Sequence, residues 1–386
     1  MPTKILVVDD EPDLEIMITQ KFRKQVREKE LLFEFAPNGA VALQKLEAQP
    51  DMHVILTDIN MPEMDGLTLL GKVREKFPLM KTVIVSAYGD MSNIRAALNR
   101  GAFDFVTKPL DFTDLDITLN KAILEAHAYQ QAIRDHDQLV AIQQELEVAR
   151  HIQKTIVPRQ FPPFPERHEF AVHAEMIPAR KVGGDFYDFF LIDHDHLGFV
   201  IGDVSGKGVP AALFMAVSKT VLKATALRGV PPAECCEQIN RILFLESVEE
   251  MFVTAFYGIL NTRTGEITYC NAGHNPPYLL RRDGRVEALP STQGLMLGLM
   301  ENWNHQEKKI TLERGDALVL YTDGITEALD RESNQFTDER LTECLKRFQP
   351  PVVTDIVAGV IKEVEAFADG APQADDMTML VLTYAG

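Results

Sequence analysis

Ile5-Leu6-Val7-Val8-Asp9-Asp10-Glu11 governs the reading of the first third of the chain. Four apolar residues running straight into three acids describe a strand buried on both faces, with charge at its carboxyl end. The pattern returns downstream. Val54-Ile55-Leu56 leads to Asp58, Val83-Ile84-Val85 to Ser86, and residues 103–106 to Lys108-Pro109, with a weaker apolar segment at 31–36. Amphipathic stretches at 39–48 and 67–77 lie between them. This alternation predicts an α/β doubly wound, five-stranded parallel sheet over residues 1–123. The strand ends of such a sheet share one edge, so Asp9, Asp10, Asp58, Ser86 and Lys108 are expected to converge. Three carboxylates in one place call for a hard cation, Mg²⁺. A carboxylate beside that ion and a lysine can accept a phosphoryl group, and a hydroxyl at Ser86 can hydrogen-bond it.

Residues 112–157 contain neither proline nor glycine and read as helix. Leu139, Ile142, Leu146, Ala149, Gln153 and Ile156 recur at alternating spacings of three and four. That is a short heptad seam with one polar member, so residues 124–158 are expected to form a helical linker, either a coiled coil that pairs the chain as a homodimer or a helix packed on its own domain. Pro158 and Phe161-Pro162-Pro163-Phe164-Pro165 then break the helix. From 159 to 386, strands precede and follow two helical stretches, and further helices come before a final strand, which predicts an α+β sandwich flanked by helices.

The formal net charge is −18, and no basic patch or stripe interrupts it. Nucleic acid and anionic membrane are therefore not expected as partners. The most apolar long stretch, 209–227, is interrupted by Ser218, Lys219 and Lys223 and reads as a buried core helix rather than a membrane span. No signal peptide is read at the start, where acids follow the first apolar run. The four cysteines lack metal-ligand spacing and are expected to be reduced thiols of a cytoplasmic protein.

The larger unit carries four acidic motifs. They are Gly183-Gly184-Asp185-Phe186-Tyr187-Asp188, Gly202-Asp203-Val204-Ser205-Gly206-Lys207-Gly208, Tyr321-Thr322-Asp323-Gly324 and Asp375-Asp376-Met377-Thr378. Carboxylates at the ends of buried strands beside glycine are poorly explained by packing. Four of them, without suitably spaced His or Cys, favour Mg²⁺ or Mn²⁺ over zinc. Two such ions could activate water for in-line attack on phosphorus. The glycines at 202–208 lack the spacing of a nucleotide-binding loop. His274, beside a turn glycine, reads as structural rather than catalytic.

Two family resemblances rest on these residues. Residues 7–11, Asp58-Ile59-Asn60-Met61-Pro62-Glu63-Met64-Asp65-Gly66, Ser86-Ala87 and Thr107-Lys108-Pro109 resemble the receiver domain of two-component response regulators. The resemblance implies phosphorylation of Asp58 and Mg²⁺ held by Asp9, Asp10, Asp58 and a backbone carbonyl near Asn60. It also implies a switch made of Ser86, Phe105 and Lys108, a cis Lys108-Pro109 bond, and a sensor histidine kinase or phosphotransfer protein as phosphodonor.

The four acidic motifs, with Asn271-Ala272-Gly273-His274, resemble the PPM-type serine/threonine phosphatases, and within them the sporulation-phosphatase and RsbU-like subgroup. By that resemblance Asp185 and Asp203 are catalytic and bridge two Mn²⁺ or Mg²⁺ ions. The Val204 carbonyl, Asp323 and Asp375 complete the shells, Asp375 being preferred to Asp376. The implied reaction is hydrolysis of phosphoserine or phosphothreonine on a regulatory protein of the anti-sigma-factor antagonist type. The subgroup typically lacks the larger family's phosphate-holding arginine, for which Lys181 is a candidate substitute. Gly183-Gly184-Asp185-Phe186 also resembles the diguanylate cyclase signature, but Phe186 stands where that signature needs an acid. Joined together, the halves imply a receiver-controlled phosphatase, with the helix around Gln153 as the regulatory element. The alternative is a catalytically silent phosphatase-like adaptor.

Overall fold

The computed structural model describes residues 2–87, 90–246 and 251–386, divided into two compact units, Met1–Ile142 and Gln143–Gly386. In the first unit the apolar runs form β1 (Thr3–Val8), β2 (Leu31–Ala36), β3 (Val54–Asp58), β4 (Lys81–Ala87) and β5 (Asp104–Lys108). They pair in parallel in the order β2-β1-β3-β4-β5. Alternate residues feed opposite cores. Ile5 and Val7 pack with Leu14, Ile18 and Leu115 on one face, while Leu6 and Val8 pack with Ala42, Leu46 and Leu69 on the other. Helices cover both faces, so the polar strand ends gather at one edge.

A single 45-residue helix, Phe112–Ile156, starts in the first unit and ends in the second. The segment expected as a linker at 124–158 is thus part of a longer helix shared between the units.

The second unit contains β6 (Phe170–Ile177), β7 (Phe186–Leu191), β8 (His196–Val204), β9 (Val253–Asn261) and β10 (Glu266–Ala272), followed by β11 (Tyr278–Leu280), β12 (Val286–Ala288), β13 (Lys308–Thr311), β14 (Ala317–Tyr321) and β15 (Met377–Tyr384). Two antiparallel sheets result, ordered β13-β10-β9-β8-β7 and β12-β11-β14-β15-β6. Leu318, Leu320, Leu380 and Leu382 turn inward to meet Phe199, Phe256 and Tyr257 of the other sheet. The alternating Val319, Tyr321, Met379 and Val381 turn outward onto helices Thr337–Leu345 and Val353–Ala368. Helices Val209–Ala226 and Pro232–Glu246 cover the first sheet through Met215, Leu222, Ile239 and Leu243. This is a β-sandwich flanked by helices.

Val209–Ala226 is long and apolar enough by composition to cross a membrane. Here it packs on the sheet, and its buried Lys219 meets buried Asp188 of β7 at 2.6 Å. The four cysteines are free and buried.

Candidate active site: two carboxylate constellations

The first constellation lies at the carboxyl edge of the parallel sheet. Asp9, Asp10 and Asp58 each place an oxygen within 4.8 Å of the others. Lys108 reaches in from the end of β5, its Nζ 2.7 Å from Asp58 Oδ2, 3.0 Å from Asp9 Oδ2 and 3.1 Å from Glu11 Oε1. Burial opposes the charge on Lys108, but hydrogen bonds to these three carboxylates outweigh it and hold the ammonium pKa above its ordinary value. Burial also raises the Asp9 carboxyl, against the pull of its hydrogen bonds. Asp58 Oδ1 accepts the Ile59 N–H at 2.6 Å, leaving Oδ2 to the lysine. Ser86 Oγ is buried and has no hydrogen-bond partner among the described residues. A buried hydroxyl without a partner is costly, and a phosphoryl oxygen on Asp58 would supply an acceptor. Phe105 packs partly buried against Ile84 and Ala97, Asn60 lies exposed beside the pocket, and Lys108-Pro109 is cis.

The second constellation collects Asp185 before β7, Asp203 near the end of β8, Asp323 after β14 and the pair Asp375-Asp376 before β15. Burial drives the Asp185 carboxyl well above its ordinary pKa, and the charges of Asp203 and Asp376 add to this. Asp203 is pushed up to about 7, by burial first and then by Asp323, Asp375 and Asp376. Asp323 is raised by burial and by Glu327 and Asp375. Such mutual repulsion among oxygen donors is the donor chemistry of a hard divalent cation. Among the described residues, no trio here closes to 4.8 Å as in the receiver. The second site is the wider one.

The two adjacent aspartates differ. Asp376 is buried and committed to backbone, its Oδ1 accepting the Ala179 N–H at 2.8 Å and its Oδ2 the Gly184 N–H at 2.7 Å. Asp375 is half-exposed, and Lys207 Nζ lies 2.8 Å from its Oδ2. Glycine is required for this approach: a Cβ on Gly183 would lie 2.0 Å from Asp376 Oδ2, and one on Gly324 1.9 Å from the Asp376 carbonyl oxygen.

Gln153, near the end of the long helix, is buried rather than free in a dimer seam. Its Nε2 donates to the Gly183 carbonyl at 2.6 Å, and its Oε1 accepts the Gly183 N–H at 3.1 Å. Lys181 is exposed and pairs with Glu147 of the same helix. His274 Nε2 stands 3.1 Å from the Tyr321 carbonyl and Nδ1 2.9 Å from Thr254 Oγ1. The network assigns a neutral ring that donates to the carbonyl and accepts from the threonine.

Burial lowers the His274 pKa to about 4. A depressed folded-state value adds stability above the unfolded pKa of ~6.5, and that stability is lost as pH falls through the folded value. Wild type should lose about 2 kcal/mol through this residue by pH 5. Urea unfolding of wild type and His274→Gln at pH 7.5 and 5 measures it, and equal pH dependence in both would refute the assignment.

Sequence reading missed what Thr322, Thr378 and Lys207 do. The two threonines donate to Asp185 at 2.7 and 2.6 Å. Both stand inside motifs already singled out for their acids, and that adjacency was the available signal.

Comparison with known proteins agrees with this architecture. Residues 5–120 match the response regulator receiver domain, and residues 193–385 match Stage II sporulation protein E (SpoIIE). Phosphoserine phosphatase RsbU of Bacillus subtilis is 30% identical over 277 residues, covering 70% of this chain and 79% of RsbU. Protein IcfG of Synechocystis sp. is 32% identical over 265 residues, 62% of this chain. The chain spans only 41% of IcfG's length. The SiaA-PP2C domain of Pseudomonas aeruginosa shares the fold, at a TM-score of 0.56 and 19% identity over 64% of this chain and 98% of that domain. With a receiver ahead of that matched region, the chain belongs to the SpoIIE family.

Proposed function

We propose that the chain is a response regulator whose receiver, phosphorylated on Asp58, controls a metal-dependent phosphoserine/phosphothreonine protein phosphatase. The observation that carries the reading is the convergence of buried Asp185 with half-buried Asp203 and Asp323, each raised by desolvation and by acidic neighbours. Excess negative charge of this kind fits two divalent cations, Mn²⁺ or Mg²⁺, held by Asp185, Asp203, the Val204 carbonyl, Asp323 and Asp375. Asp376, already committed to backbone N–H groups, serves as an anchor for the 179–185 loop. When bound, such ions activate water and neutralise charge on the phosphoryl oxygens. The net reaction forms a water-oxygen–phosphorus bond, breaks the seryl-oxygen–phosphorus bond, and yields inorganic phosphate and a free hydroxyl.

In the receiver, Asp9, Asp10, Asp58 and a carbonyl at Asn60 would hold Mg²⁺. Lys108 and Ser86 would grip the phosphoryl group delivered by a histidine kinase or phosphotransfer protein, and Phe105 would repack. Regulation would travel through the helix to Gln153, whose amide grips Gly183 two residues before Asp185. Exposed Leu139 and Ile142 support pairing of two chains along the upstream part of that helix. We take the substrate to be a phosphorylated regulatory protein of the anti-sigma-factor antagonist type and the compartment to be the cytoplasm.

The test is Mn²⁺-dependent phosphate release from a phosphoserine protein, with and without acetyl phosphate. Wild type should change rate severalfold on adding the phosphodonor, and Asp58→Asn should not respond. Gln153→Ala should keep Asp58 phosphorylation but lose the response. Absence of turnover, together with absence of Asp185-dependent Mn²⁺ binding, would favour the adaptor instead.

A further inference from the structure

Asp185 is only 1% exposed, and its two carboxylate oxygens are treated unequally. Oδ2 accepts from Thr322 Oγ1 at 2.7 Å and from Thr378 Oγ1 at 2.6 Å. The threonines come from different strand ends, Thr322 between β14 and Asp323, Thr378 inside β15 after Asp375-Asp376. Both are fully buried and bonded to each other. The Thr378 N–H donates to Thr322 Oγ1 at 3.0 Å, and the Thr322 N–H donates to the Thr378 carbonyl at 3.0 Å. These bonds fix the protons. Thr322 Oγ1 already accepts from a backbone N–H, so its one proton is directed at Asp185 rather than at the more distant Asp376 carbonyl, 3.3 Å away.

The chemistry of the two donors is informative. Three other acids of the two constellations meet ammonium groups: buried Asp58 and half-buried Asp9 meet Lys108, and half-exposed Asp375 meets Lys207. A lysine would neutralise the carboxylate it holds. Hydroxyls orient a carboxylate and leave its charge in place. Threonine is also stiff at χ1, so two of them bonded to one oxygen lock the side chain's rotamer. The neighbouring carboxylate is that of Asp203.

We infer that Thr322 and Thr378 are positioning residues of the divalent-cation site, pinning Oδ2 of Asp185 and leaving Oδ1 for the cation. The inference rests on the reading of Asp185 as a cation ligand given above. It also joins three motifs into one unit, because the residue preceding Asp323 and the residue following Asp375-Asp376 together hold the Asp185 side chain. Outer-shell partners of metal ligands are worth ~10–100-fold in metal affinity.

The experiment is Mn²⁺ titration by calorimetry on the full chain, in an Asp9→Asn background that silences the receiver pocket. Thr322→Val and Thr378→Val, close in shape but without the hydroxyl, should each weaken Mn²⁺ binding about tenfold, and together about 100-fold. Thr322→Ser and Thr378→Ser, which keep the donor, should stay within about threefold of the parent. Asp185→Ala should lose the binding outright. Valine variants that bind as the parent does, while Asp185→Ala does not, would overturn the clamp and leave the Asp185 reading standing. Serine variants weakened as much as valine variants would also overturn it, since packing rather than the hydroxyl would then be responsible. Parent-like binding by Asp185→Ala would instead overturn the reading of Asp185 itself.

Discussion

Asp203→Asn should lower phosphate release from an aryl phosphate by on the order of 10³-fold at saturating Mn²⁺, the scale expected when one charged group of a preorganised site is removed. Asp203 sits where burial and the charges of Asp323, Asp375 and Asp376 push its carboxyl up to about 7. That accumulation attracts a cation and strains the metal-free protein. The strain has a definite sign. A carboxyl raised from 3.8 to about 7 contributes stability that is fully present below the lower value and is lost as pH rises through the higher one. The asparagine variant abolishes this ionisation. In metal chelator at pH 8 it should unfold at a higher temperature than wild type, and near pH 4 the difference should shrink. An inactive variant that is more heat-stable than its parent separates loss of charge from loss of fold. Unchanged turnover would remove Asp203 from the proposed catalytic set.

Lys219→Met should destabilise the second unit by about 3 kcal/mol, near the lower end of the range for breaking a buried pair. Lys219 and Asp188 are both almost wholly buried and 2.6 Å apart, joining helix Val209–Ala226 to β7. Removing the lysine strands a carboxylate inside the sandwich. Lys223, 3.2 Å from the same oxygen but 40% exposed, offers partial compensation. Lys223→Met should therefore cost well under 1 kcal/mol, as exposed partners generally do. Denaturant melts followed by the fluorescence of Trp303, the single tryptophan of this chain, measure both. Equal costs for the two lysines would refute the ranking.

Much of the fold was legible because its strands are buried. Continuous apolar runs such as Ile5-Leu6-Val7-Val8 and Ala317-Leu318-Val319-Leu320-Tyr321 carry their own signal. The strands that escaped notice, Val286–Ala288 and Lys308–Thr311, are sheet-edge strands, three and four residues long, with largely exposed side chains. An edge strand that faces water has no hydrophobic pattern to read, and lysines there blunt the edge. The acids of the site were legible because carboxylates at buried strand ends have no packing explanation. The threonines and Gln153 were harder, because hydroxyls and amides are common and their meaning lies in a partner far along the chain. Gln153 meets Gly183 across 30 positions, and Thr378 meets Asp185 across 193. The heptad spacing offered Gln153 as a polar member of a seam between chains, and the fold spends that polarity inside one chain.

The pair of hydrogen bonds between Gln153 and Gly183 has a consequence for how such chains can be assembled. An α-helix turns 100° per residue, about one revolution every 3.6. A side chain that must both give and take one hydrogen bond from the backbone of the same residue tolerates little rotation. In the regulation proposed above, what the second unit receives at this point is a phase, the angle at which a helix presents one amide. Any sensory module that ends in a helix of the right phase could stand where the receiver stands. Inserting two residues upstream of Gln153 would turn the amide about 200° away, whereas inserting seven would return it to within about 20°. On that proposal, interchangeability of the upstream half is a matter of angle along a single helix.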